Sequence, residues 1–162
     1  MIVKFTDNLF VGDSQSIKDA PYYKITAVLN TAFDLDYRIS NNPDKYLPFE
    51  YYKVGFTDGE PTDEYAIASA VIFLDYLLSR PKTVLVLCHE GRSRSVVVAT
   101  LWYAWKMCEG KLTPALKYLK KAHKNSSIND SLRSKMSTAL RIVKKSRVAK
   151  KKVSGLLYWQ RM

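Results

Sequence analysis

A chain of 162 residues, 47% hydrophobic and 25% charged, is long enough to bury one core without metals or crosslinks, and too apolar for a disordered or fibrous protein. Its formal charge of +11 is uneven, because residues 141–162 hold eight Lys/Arg and no acid and leave +3 for the rest; this suggests an acidic partner or surface for a basic tail and does not by itself mark a nucleic-acid-binding domain. The two cysteines, Cys88 and Cys108, make no disulfide framework, and no stretch reads as a signal peptide or a bilayer span, so the expected compartment is the reducing cytoplasm.

In chain order, short apolar runs at residues 2–5, 9–11, 25–29 and 51–54 read as strands bounded by Asp, Asn and Gly turn residues. Thr62, Asp63 and Glu64 open a helix in which Ile67, Val71, Leu74 and Leu78 repeat at helical spacing until Pro81 stops it. Residues 83–87 are β-branched and leucine on both faces, the pattern of a central strand. The segment 95–108 is apolar nearly all round, with Val96, Val98, Leu101, Trp102 and Trp105, and reads as a core helix. Cys108 and the two tryptophans belong to that core. Thr113 with Pro114 at the first helical position opens the next helix, whose polar side carries His123 at the surface among lysines. A last helix follows Asn129 or Asp130, with Leu132, Met136, Leu140 and Val143 as its apolar stripe.

This order predicts an α/β fold in a single domain over residues 1–145, a central mixed twisted sheet of about five strands flanked by helices. Residues 146–162 form a basic C-terminal tail that ends in apolar and aromatic residues. Such a tail suits an acidic partner, nucleic acid or an anionic membrane.

Between the buried strand and the core helix lies Cys88-His89-Glu90-Gly91-Arg92-Ser93-Arg94, followed by Ser95. A loop that leaves a strand and enters a helix can turn its backbone N–H groups onto one anion, helped by the helix N-terminus. Residues 89–94 are therefore the expected phosphate-binding loop. Gly91 permits the backbone such a cradle needs, and Arg94 offers a planar fork to two phosphate oxygens that lysine lacks. The same dipoles and guanidinium stabilise negative charge on the Cys88 sulfur, the form in which a thiol is a nucleophile. Glu90 and Arg92 are expected to point outward.

The run from Val84 to Ser95 resembles the signature loop of the dual-specificity protein phosphatases, within the cysteine-based protein tyrosine phosphatase superfamily. The resemblance extends weakly from about residue 5 to residue 143: the segment 8–13 resembles the family's early strand, 25–30 its next strand, and Ile128-Asn129 stands where the family opens its last helix. It implies that Cys88 attacks phosphorus, that a phosphocysteine forms, that Arg94 holds the equatorial oxygens, and that Ser95 assists thiolate departure. It also implies an aspartate on a mobile upstream loop that protonates the leaving oxygen, and Asp58 stands there, with Asp63 as the substitute. The chemistry needs no metal and no cofactor. One departure is Leu87, where the family usually has His before the cysteine, and it is expected to lower activity; His89 is not assigned the missing role.

The implied activity is hydrolysis of phosphotyrosine and phosphoserine or phosphothreonine in a phosphorylated protein substrate. Two alternatives stand beside it. Arg92 and the basic tail suit a lipid-phosphate or RNA 5′-phosphatase of the same mechanism. Leu87 and the adhesive tail suit a weakly active phosphate-binding module.

Overall fold

The computed structural model describes residues 1–37 and 48–146. The expected tail beyond Ser146 lies outside the described residues. Five strands form one sheet: β1 (Ile2–Thr6), β2 (Leu9–Gly12), β3 (Ala27–Ala32), β4 (Glu50–Phe56) and β5 (Val84–Leu87), in the spatial order β1-β2-β5-β3-β4. β1 runs antiparallel to β2 and every other pairing is parallel, so the sheet is mixed with β5 in its middle. Four residues of pure Val and Leu are the composition of a strand covered on both faces, and all four are buried.

Four helices follow: α1 (Glu64–Leu78), α2 (Arg94–Met107), α3 (Leu112–Ala122) and α4 (Asp130–Lys145). The helix stripes anticipated from spacing pack with Leu9, Val11, Leu29, Val84 and Val86 into one core on a single side of the sheet. The opposite side is closed by the two short 3-10 helices Ser16–Lys18 and Ala20–Tyr23 and by loop residues, over Phe10, Ile25, Val28, Leu85 and Leu87. The flanking is therefore unequal, with all four α-helices on one face. That asymmetry explains Leu87: its side chain fills the second core, where a charged ring would lose its hydration.

Helix starts obey local chemistry. Asp63, not Thr62, caps α1, its carboxylate accepting from the N–H groups of Tyr65 and Ala66. Asn129 caps α4 by accepting from the N–H of Ser131. α3 begins at Leu112, two residues before the expected start, and Pro114 sits within its first turn, where a missing N–H costs nothing. In α2 Trp102 is buried and donates its indole N–H to the buried Asp75, while Trp105 and Cys108 are only half-buried against the core.

Three adjacent parallel strands, β5, β3 and β4, end on the same edge of the sheet. Their carboxyl ends lead into the segments holding Cys88, Asp34 and Asp58. A crevice outside strand carboxyl ends is where parallel sheets bind ligands.

Candidate active site

The loop from Cys88 to Ser95 is shaped by what holds its carbonyl groups. The Leu87 carbonyl accepts from the buried hydroxyl of Thr31 at 2.9 Å, which fixes the end of β5. The His89 carbonyl accepts from the Ser14 N–H, the Arg92 carbonyl from the Ser127 N–H, and the Ser93 carbonyl from the Val97 N–H that begins the α2 ladder. The Gly91 carbonyl accepts from His123 Nε2–H at 2.8 Å. With these four loop carbonyls engaged on the outside, the N–H groups of residues 89–96 have no acceptor among the described residues. A run of N–H groups left unpartnered beside a helix N-terminus is an anion nest.

Gly91 is required here for two reasons. Its φ is +69°, and a Cβ at this position would come within 2.7 Å of the Gly12 carbonyl carbon. The loop thus lies directly on the end of β2.

Cys88 is buried at the mouth of β5, and Ser95 Oγ lies 3.2 Å from its sulfur. Arg94 is buried as well. One terminal nitrogen, Nη1, donates to Asp34 Oδ1 at 2.7 Å and to the Phe56 carbonyl at 3.1 Å, which fixes the plane of the guanidinium. Its Nε is buried with no partner. A buried charged donor without an acceptor is costly unless a ligand supplies one.

Asp34 is the residue that sequence reasoning missed. Besides Arg94 it faces His89, whose Nε2 lies 3.3 Å from Oδ2. The hydrogen bond donated by Arg94 outweighs slight burial and holds the Asp34 carboxyl below the usual carboxylate range. Nothing in a short loop two residues past the end of β3 advertises such a role.

Asp58 is brought to the same place. Its Oδ1 accepts from Ser93 Oγ at 2.7 Å, and its carbonyl accepts from Asn129 Nδ2 at 3.0 Å. Ser93 Oγ in turn accepts from the Asn129 N–H, so the Asp58 loop, the phosphate loop and the start of α4 are fastened together. Asp63, the substitute, is spent on capping α1.

Asp34, Asp58, Cys88, His89, Glu90, Arg92, Ser93 and Arg94 line one pocket of about 480 Å³, together with Ser127 and Asn129. Gly91 and Ser95 stand behind it, buried. Glu90 and Arg92 are exposed at its rim, as expected from the sequence. His123 requires a correction: it is 2% exposed, not on the surface, because its ring turns inward from the end of α3 to reach Gly91. Its neighbours Lys121 and Lys124 are exposed, which is what the polar stretch suggested. No group of three or more His, Cys, Asp or Glu could hold a metal among the described residues, and no described helix is long and apolar enough to cross a membrane. A larger cleft of about 670 Å³ between α1 and α4 contains no nucleophile of this kind.

No protein-family model and no curated protein sequence matches the chain. Solved structures do. The phosphatase domain of Yvh1 from Chaetomium thermophilum superposes with a TM-score of 0.73 at 19% identity, over 90% of this chain and 98% of that one. Human DUSP28 gives 0.70 at 17% identity over 88% and 95%. PTPMT1 in complex with PI(5)P gives 0.67 at 13% identity over 86% and 94%. The chain has the dual-specificity phosphatase fold.

Proposed function

We propose that the chain is a cysteine-dependent phosphatase that hydrolyses phosphate monoesters, with phosphotyrosine and phosphoserine or phosphothreonine of proteins as substrates. The observation that carries this reading is the conjunction of unpartnered loop N–H groups, a buried guanidinium with a free Nε, and a sulfur at the base of the same loop.

In the first step the Cys88 thiolate attacks phosphorus, the P–O bond to the leaving group breaks, and Asp58 gives its proton to the departing oxygen. A positioned carboxyl contributes a factor of about 10² to 10⁴ in such a transfer. The phosphoryl oxygens rest on the N–H groups of the loop and on Arg94. In the second step water attacks the phosphocysteine, Asp58 takes the water's proton, and the S–P bond breaks. Ser95 Oγ, 3.2 Å from the sulfur, donates to the departing thiolate and makes it a better leaving group.

Cys88→Ser is the direct test. It should bind an aryl phosphate and lose turnover by at least about 10⁴-fold, because removing a nucleophile from a working constellation leaves only binding and electrostatic contributions. Retained turnover rules out the mechanism.

A second reading is favoured by one observation: a neighbour of this fold was solved with PI(5)P bound. On that reading the same cradle takes a phospholipid phosphate. Rates on phosphopeptides, phosphoinositides and triphosphate RNA, measured side by side, separate the substrates, since fold alone does not.

A further inference from the structure

Behind the catalytic loop, between α3 and the start of α4, lies a second concavity of about 490 Å³. Thr113, Lys117, Lys120, Lys124, Ser126 and Arg133 line it, and no carboxylate does. Lys117 and Lys120 stand one turn apart on α3, Lys124 follows just past its end, and Arg133 lines the same concavity from α4. None of the four cations has an ion-pair partner among the described residues. Like charges one turn apart, as at Lys117 and Lys120, destabilise a helix. The attraction of cations to a helix C-terminus accounts for Lys120 but not for Lys117, further back, nor for Arg133 on another helix.

The pocket shares structure with the catalytic loop. Its buried members are Leu119 and His123, and the latter is the residue that holds the Gly91 carbonyl. Ser126 lines this pocket while Ser127, which holds the Arg92 carbonyl, lines the catalytic one, so the two are separated by a single turn of backbone.

We infer that this pocket is a second, non-catalytic oxyanion site that takes a phosphate group. Four converging cations and two hydroxyls, with no acid, match the charge and hydrogen-bonding needs of a phosphate. The group comes either from a second phosphate on the substrate held in the catalytic pocket or from a separate phosphorylated ligand. The inference does not depend on catalysis.

The experiment is a titration of inorganic phosphate into the 15N-labelled full chain carrying Cys88→Ser, followed by NMR with ionic strength held constant by chloride. Amides at 117–126 should shift saturably, with a dissociation constant distinct from that of amides 89–95. In a Lys117→Glu, Lys120→Glu variant, phosphate affinity at this pocket should fall about a hundredfold, the loss of two charge-assisted hydrogen bonds. Both lysines are exposed, and unchanged signals from the sheet show that the variant folds. The inference is overturned if residues 117–126 do not saturate, or if they follow the constant of 89–95 in both proteins. Loss of binding at 89–95 with saturation kept at 117–126 would strike the proposed catalytic cradle and support the second site. An alkyl bisphosphate then names the source: a gain of more than about tenfold over the matching monophosphate, lost in the double variant, places both groups on one molecule. Equal affinities, with 117–126 still saturating, make the ligand a separate one.

Discussion

The two pockets on either side of residues 126 and 127 face anions by different physics. The catalytic pocket has both signs of charge, with Asp34, Asp58 and Glu90 beside Arg92 and Arg94. Its attraction comes from backbone N–H groups and one buried guanidinium, all held in place by the rest of the fold. The pocket under α3 draws its charge from four exposed cations on long side chains. Fixed dipoles in a sheltered site orient a ligand and tolerate the acids that proton transfer needs, whereas mobile surface charges attract without orienting and are screened by salt. On the proposed reading, chemistry belongs in the first pocket and affinity alone in the second.

The sharpest way to break that contrast is Arg94→Lys, which keeps the charge and discards the fork. Turnover of an aryl phosphate should fall about 10³-fold, because donors aimed at developing charge act through geometry. A loss within tenfold would mean that charge suffices, and the two pockets would not differ in kind. Asp58→Asn should cost about 10² on alkyl phosphates and much less on esters whose leaving group needs no proton. Equal losses on both would remove Asp58 from proton transfer and leave it as a fastening between loop and helix.

Asp34→Ala comes next, with kcat/KM down about tenfold as the guanidinium loses one of its two anchors. The sign of its pH dependence follows from its lowered value. The ion pair is complete above the ordinary carboxylate range and is lost only as pH falls through the lowered one. Asp34 should therefore put no limb in the rate profile between about pH 5 and pH 8; a limb that Asp34→Ala abolishes would show that Arg94 is anchored some other way. The smallest effect is expected from salt. Raising ionic strength from about 0.05 to about 0.5 M should weaken phosphate at the α3 pocket several-fold and at residues 89–95 by less than half as much, read by the same NMR titration. Equal weakening would put both pockets in one class.

Much of the site could be read from the chain because its parts are contiguous. A buried strand, seven residues containing Cys88, Gly91 and Arg94, and an apolar helix form one contiguous unit whose composition is legible in the chain, although distant residues hold the carbonyls of the loop. Asp58 enters only through resemblance, and the fold explains its position beside the loop: β4 lies beside β3, so residues after Phe56 reach the loop after β5. Asp34 and His123 had no sequence signal. Each acts on a partner 60 or 32 residues away, across contacts that no local pattern encodes. His123 was misplaced because a lysine-rich helix end looks solvated, although a single ring at its last position can turn inward.

The sequence by itself determined the strands, the helices and the bend between β5 and α2, since hydrophobic periodicity and turn chemistry act over a few residues at a time. Only the tertiary structure decided which side of the sheet the helices cover, that Leu87 belongs to the opposite core, and that Asp34, Asp58, Asn129 and His123 meet around the same loop. Those outcomes depend on strand order and on which ends of parallel strands come together. They are set by burial of surfaces far apart in the chain.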